Sequence, residues 1–256
     1  MEMTQHFLTQ NDCYKAGRTI VPKGIMIHSI GVAQPKVEVF LKAWNQPGVG
    51  ACVHAFVHEG GAVQTLPWNH RGWHAGASAN NTHIGIEMLE PAGHTYQGGT
   101  MVGYDPEKNA TYFAAVYRNA VELAADLCAQ YGLDPMGDIL DHSEGHRRGI
   151  ASNHADVMQW FPRHAKSMDG FRQDVTAALA ERKEQGMTQE EFNNMFTKAM
   201  DAYTAAAAAR PVSDWARQAW GEAVARGVFD GSRPAAPLTR EQAALVISRL
   251  TAGETH

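Results

Sequence analysis

Cysteine is scarce: three in 256 residues, Cys13, Cys52 and Cys128, far apart and with no Cys-x-x-Cys pair. An odd, scattered set argues against a disulfide framework and points to reduced thiols in a chain made in the cytoplasm. Basic residues are also few. Lys plus Arg number 22 against 27 Asp plus Glu, a formal net charge of −5. With no cationic excess to neutralise phosphates, nucleic acid is not the expected partner. No apolar run approaches the roughly 18–20 residues that a membrane helix needs, so no membrane insertion is expected. The opening MEMTQHFLTQND lacks a basic stretch followed by an apolar one, and no signal peptide is read there.

What is present is an ordinary apolar fraction, 44%, and thirteen histidines. The length suits one large domain and one small one. Residues 24–30 (GIMIHSI) read as a short buried strand, apolar except at His28 and Ser29. Residues 53–58 and 62–66 flank Glu59-Gly60-Gly61, a hairpin signal. Residues 83–89 form another apolar strand. Residues 109–131 carry apolar residues at helical spacing and end at Gly132, a glycine stop. A brief strand at 139–142 and a helix at 166–184 follow. Strands alternating with helices define an α/β domain over residues 1–182. A helical linker, 183–210, includes Thr188 and Glu191 as a candidate capping box and a run of five alanines. Residues 211–256 then read as a small all-α unit: a helix over 214–226, a loop, and a helix capped by Thr239.

The chemistry-bearing residues cluster at strand ends. His28 lies near the end of one strand and His142 at the end of another, in Leu-Asp-His-Ser-Glu. Further on comes Ser152-Asn153-His154-Ala155-Asp156. Two histidines and an aspartate would make a three-ligand zinc site with one position left for water. A histidine beside an apolar strand is more commonly a satisfied structural residue, so spacing alone leaves both readings open. Glu87 is the only acid inside Ile-Gly-Ile-Glu-Met-Leu. A carboxylate buried there is costly unless paired or functional. An ion pair with a structural arginine is the alternative.

Several motifs, in order along residues 1–182, resemble the N-acetylmuramoyl-L-alanine amidase family, which includes phage lysozyme-type enzymes and peptidoglycan recognition proteins. They are Ile-Met-Ile-His-Ser around His28, Gly-Gly-Ala-Val after Val57, Trp-His-Ala-Gly at 73–76, Asn-Thr-His-Ile-Gly-Ile-Glu at 81–87, and Asp-His-Ser-Glu through Trp-Phe-Pro between 141 and 162. The resemblance implies a central mixed β-sheet flanked by helices. It also implies zinc on His28, His142 and Asp156, with Glu87 handling the attacking water and His154 aiding the carbonyl oxygen. Relatives carry Lys where His154 stands, and some have Tyr near Val53, a contribution lacking here. Trp73, His74 and Asn81 are expected at the substrate, with core packing the alternative for Trp73 and a simple turn for Asn81. His54 and His83 are expected to orient the site histidines from behind. Glu144, His146, Arg147 and Arg148 are expected in a solvated loop.

Residues 211–256 resemble a single S-layer homology repeat, through Asp214–Gly227, Phe229-Asp230-Gly231 and Leu238–Ala243. This implies secondary cell-wall polymer as a partner, with Arg240 in the anion-binding position. The alternative is a packing or homo-oligomerising unit. The combined expectation is a peptidoglycan amidase of endolysin type, released to the wall through a holin. A non-catalytic peptidoglycan-binding recognition protein is the alternative.

Overall fold

The computed structural model describes residues 1–185 and 189–252. Its first unit, Met1–Gln185, starts with β1 (Met3–Gln5), a one-turn helix α1 (Asp12–Lys15) and β2 (Gly24–Ser29). After α2 (Val37–Trp44) come β3 (Ala55–His58) and β4 (Gly61–Gln64), antiparallel across the Glu59-Gly60 turn. The strand β5 (His83–Met88) precedes a small hairpin, β6 (Thr95–Gln97) and β7 (Thr100–Val102). Then follow α3 (Ala110–Tyr131), α4 (Pro135–Asp138), β8 (Ile139–Asp141), α5 (His142–Arg147) and α6 (Met168–Gln185). α3 stops where expected, at Gly132, whose φ of +66° closes the helix in the left-handed region.

Six strands form one sheet in the order β1-β4-β3-β5-β2-β8. All neighbours are parallel except β3 and β4. This is the mixed α/β sheet expected. β2 and β5, at its interior, are paired along their whole length, with His28 opposite Glu87. Alternation along these strands sorts the side chains. Ile25, Ile27, Ile84, Ile86 and Met88 enter the main core with Phe113, Val116, Ala120 and Leu127 of α3 and Phe171 and Val175 of α6. Their neighbours His28, Gly85 and Glu87 take the other face. Phe56 also points away from that core, packing with Val37 and Phe40 of α2. The sheet thus lies between two helical layers, and the chemistry-bearing residues share one face near the C-terminal ends of parallel strands.

Two expectations change here. His142 is not on a strand: β8 ends at Asp141, and His142 opens α5. Asp141 caps that helix, and Glu144 reaches back to the Asp141 amide, completing a capping box. Nor are residues 144–148 a solvated loop. They form the body and end of α5, and Glu144 pairs with the buried Arg172, which also donates to the Ile139 carbonyl at 2.9 Å. His146, Arg147 and Arg148 remain exposed.

In the second unit, 186–256, α7 (Gln189–Ala208) spans most of the expected linker. A short turn at Asp214–Ala216 leads into α8 (Arg217–Ala225), and α9 (Arg240–Ala252) closes the unit. Thr239 caps α9 as expected: its hydroxyl accepts from the Gln242 amide, and the Gln242 side chain accepts from the Thr239 amide. The expected Thr188 cap lies outside the described residues. Trp220 stacks on Phe229 at 4.8 Å and Val228 is buried, whereas Trp215, Leu245 and Leu250 stay exposed. No helix among the described residues is long and apolar enough to cross a membrane.

Trp160 is the largest fully buried side chain. It lies edge-on to Phe113 at 5.1 Å and donates to the Tyr104 hydroxyl at 2.7 Å. Trp160→Ala should cost about 3–5 kcal/mol of stability, read from denaturant unfolding. A loss under about 1 kcal/mol would mean the site collapses around the cavity.

Candidate metal centre and active site

Three donor atoms converge on the open face of the sheet. His28 Nδ1 lies 2.7 Å from Asp156 Oδ2, His142 Nδ1 lies 3.0 Å from the same oxygen, and the two Nδ1 atoms are 3.1 Å apart. β2 delivers His28, the first residue of α5 is His142, and a loop leading into a short 3₁₀ turn delivers Asp156. Asp156 sits at φ +43°, a left-handed conformation that an aspartate reaches more readily than most residues. Both histidines are buried.

The hydrogen bonds behind the cluster define its proton pattern. His74 Nε2 donates to the His83 carbonyl at 3.1 Å, which leaves His74 Nδ1 to accept from His28 Nε2 at 3.0 Å. On the other side, His142 Nε2 lies 3.0 Å from the Ser152 hydroxyl. With each Nε2 carrying its proton outward, the two Nδ1 lone pairs face each other and a carboxylate oxygen. That arrangement is repulsive alone and favourable around a cation. A tetrahedral zinc with ligands at about 2.0–2.1 Å would set neighbouring ligands roughly 3.3 Å apart, close to the spacing seen. The donor set therefore fits a borderline divalent metal.

Electrostatics agree. Burial lowers the pKa of His28 against the pull of Asp156, favouring the neutral ring that a metal needs. Burial and the neighbouring His28 and His54 hold His74 well below the usual histidine range. Without a metal, Asp156 is instead held by protons on the two Nδ1 atoms: burial opposes its ionisation, but hydrogen bonding to His142 and His28 outweighs burial and keeps the carboxylate charged, and a bound cation would take the place of those protons.

Glu87 stands beside His28 because the β2–β5 register pairs them. Among the described residues no arginine pairs with it, and its Oε2 is shut from solvent with no hydrogen-bond partner. Burial, then the negative charges of Asp156 and Glu90, place its carboxyl well above the usual carboxylate range.

The remaining expected residues are distributed unevenly. His154 is exposed beside His142, ring centroids 4.7 Å apart, with Nδ1 3.0 Å from the Ser152 hydroxyl. His74 was expected at the substrate, but both its nitrogens are engaged inside the protein, and it orients His28 from behind. His54 props that pair. It donates to the His70 carbonyl at 2.8 Å, accepts from the Gly85 amide at 3.0 Å, and is held neutral by burial with its pKa lowered to about 4. His83 contributes its carbonyl. Trp73 packs against Leu8, Cys13, Cys52 and Leu66, the core alternative. Asn81 is exposed and accepts from Arg71 at 2.6 Å, with no bond to the cluster.

Sequence reasoning passed over Asn80, whose buried side-chain oxygen accepts from the backbone of both His74 and Ala75 at 2.9 and 2.8 Å. It also missed Ser152 and the buried Glu90, which gathers the Gly31 amide, His94 and the Tyr96 hydroxyl. Nothing in hydrophobic patterning marks these; each acts through a side-chain contact fixed by the path of a loop or turn, which periodicity does not report. Gly85 could have been noticed as a glycine inside an apolar strand. A Cβ there would overlap the His74 ring.

Fold and cluster together define a class: an α/β domain with a two-histidine, one-carboxylate metal cradle and, at its side, a half-buried glutamate with one enclosed, unpartnered oxygen. The model of the N-acetylmuramoyl-L-alanine amidase family matches residues 17–159, over half of the chain, and the chain belongs to that family. Relatives include the N-acetylmuramoyl-L-alanine amidase BlyA of Bacillus subtilis, 28% identical over 37% of this chain and 26% of that protein. A bifunctional autolysin of Staphylococcus epidermidis is 26% identical over 53% of this chain and 9% of its own length. The chain thus spans about a quarter or less of the curated relatives it matches. Among solved structures, the Staphylococcus aureus hydrolase AmiA shares the fold with a TM-score of 0.54 at 20% identity, over 72% of this chain and 86% of that one. The catalytic domain of XlyA does so with a TM-score of 0.51 at 21% identity, over 68% and 99%.

Two outcomes follow. His74→Phe keeps a ring but removes the acceptor for His28 Nε2, so zinc affinity should fall about 10–100-fold in a folded protein, measured by competitive chelator titration. Unchanged affinity would show that His28 needs no such partner. The second concerns Glu87 in metal-free protein. Unfolded, it ionises near pH 4.3; folded, it keeps its proton to higher pH, so folding loses stability as pH rises above about 4.3. Glu87→Gln carries no such penalty. Metal-free Glu87→Gln should therefore melt higher than metal-free wild type at pH 7, with the gap closing below about pH 4. Equal melting at both pH values would contradict the burial of an unpaired carboxyl.

Proposed function

We propose that this chain hydrolyses the amide between the lactyl carbonyl of N-acetylmuramic acid and L-alanine in peptidoglycan. The observation that carries the reading is the convergence of His28 Nδ1, His142 Nδ1 and Asp156 Oδ2 beside the unpartnered Glu87, in a chain of the amidase family. His28, His142 and Asp156 would hold zinc, which when bound supplies a Lewis acid and makes water acidic near neutral pH.

The protein's own groups supply the rest. His74 and Ser152 fix the two ligand rings so that their Nδ1 lone pairs stay aimed inward. Glu87, raised in basicity by burial, takes the proton from the attacking water and returns it to the amide nitrogen as the C–N bond breaks. The carbonyl carbon gains the water oxygen, and the amine leaves as the amino terminus of L-alanine. His154, exposed beside the cluster, donates to the carbonyl oxygen as it gains charge.

The rival reading, a recognition protein that binds wall without cutting it, lacks a reason for a complete donor set flanked by an acid with an enclosed, unpartnered oxygen. The cellular setting proposed is lysis of the bacterial wall by an endolysin-type enzyme after holin-type release. The S-layer-like reading of residues 211–256 also stands as a proposal. Arg240 is exposed at the first turn of α9. It does not line that unit's main groove, which includes Trp220, Phe229, Arg233 and Arg249. Binding of wall polymer would therefore use Arg240 from outside the groove.

Purified protein should contain one zinc, and digested peptidoglycan should show new L-alanine amino termini without new reducing sugars by mass spectrometry. Glu87→Gln should keep zinc while turnover falls about 10²–10⁴-fold. New reducing ends would make the enzyme a glycosidase and overturn the reading. Turnover within a few-fold of wild type in Glu87→Gln would move proton handling to another group.

A further inference from the structure

The helix α7 carries an apolar stripe that the proposed chemistry does not use. Phe192, Met195, Phe196, Met200 and Tyr203 recur at helical spacing, with Ala199 between them. Each of the five large side chains is 46–59% exposed, and Phe192 stacks on Phe196 at 6.1 Å. The last turn is different. Ala207 is buried, and Thr204 and Ala208 line the groove with Trp220 and Phe229. The C-terminal helices therefore occupy one flank of the end of α7 and leave the side chains of the stripe from Phe192 to Tyr203 about half exposed.

We infer that this stripe is a self-association surface: two copies of the chain pair through α7, antiparallel, about a dyad near Ala199 and Met200. Three observations select a second copy and this direction. Five side chains of this size, each about half bare, leave on the order of 500 Å² of apolar surface per chain. Two copies facing each other would cover about 1,000 Å², the lower end of what a specific interface buries and the size of a weak, concentration-dependent dimer. The stripe is also graded in size. Its N-terminal half is Phe and Met, and its C-terminal end is a run of alanines, 205–209. Antiparallel pairing about Ala199 sets Phe192 against the partner's Ala206 and Met195 against its Tyr203, which keeps the two axes evenly spaced along the contact. Parallel pairing would crowd Phe on Phe at one end and leave a gap between alanines at the other. Antiparallel helices also oppose their dipoles favourably. Such a contact is isologous and closes at two copies.

The proposal is independent of the amidase reading and is tested on the full chain. Light scattering across a concentration series should give twice the 28.0 kDa chain mass, and Phe196→Glu should return one chain mass with unchanged helicity. Under oxidation, Ala199→Cys should form a covalent dimer, because residues at the dyad meet their own copies, while Phe192→Cys should not. The native cysteines are buried and leave this background clean. A wild type of single-chain mass at every concentration would overturn the proposal, as would a dimer that survives the double change Phe192→Glu with Phe196→Glu. Equal cross-linking at 192 and 199 would overturn the antiparallel arrangement. A monomeric wild type whose melting temperature drops on Phe196→Glu would show that the chain covers its own stripe, and the proposal would fail.

Discussion

The parallel pairing of Gly24–Ser29 with His83–Met88 is the constraint on which the rest of the site depends. It places His28 and Glu87 side by side, and the period-two alternation of both strands points them to the same face. A slip of one residue would send the isoleucines to the site and the histidine and glutamate into the core. The burial of Ile25, Ile27, Ile84 and Ile86 in one cluster is therefore what holds the register. Apolar packing on one side of the sheet pins the geometry of the chemistry on the other.

Around that pair, the protein spends several buried polar groups on orientation. His28 is held through His74, His74 through the His83 carbonyl and the Asn80 side chain, and His54 lies edge-on against His74. His142 is held by the cap of its own short helix, and that cap is anchored by Arg172 reaching from α6. Buried polar groups stabilise a fold only when they are satisfied. Here nearly all are, and Glu87 Oε2 stands out among the few that are not. Ser29 Oγ, His70 Nδ1 and His94 Nδ1 are likewise unpartnered, but the orphaned carboxyl oxygen is the one acidic group among them and lies beside the converging donors, as proton-handling groups commonly do.

The second unit obeys a different balance. Its helices bury little: Val228 and Ala207 are enclosed, while Trp215, Leu245 and the α7 stripe are bare. Small helical units rarely supply enough buried area to be stable unaided. Exposed apolar faces of this extent mark a surface built for contact, and the gradation of side-chain size along α7 gives that contact a direction.

By itself the sequence determined the α/β class, most element positions and the chemical inventory. Apolar periodicity is local, and it shows in the strands at 24–29 and 83–88 and in the helix ending at Gly132. Residue type alone restricts which side chains can bind a metal or move a proton, and the motifs around His28, Glu87, His142 and Asp156 carried the family resemblance. Only the tertiary structure decided how these groups meet. That His74 lies behind His28 while Trp73 packs into the core, and that Glu144 pairs with Arg172, are contacts between segments far apart in the chain, and the helix that His142 opens rests on an Asp141 cap anchored by Arg172 through Glu144. The small hairpin at 95–102 was missed because its three-residue strands are too short to show a period. The physical reason is common to all of these. Local pattern reports which face of an element is apolar, whereas hydrogen-bond partners and charge pairs are chosen by the packing of several elements at once.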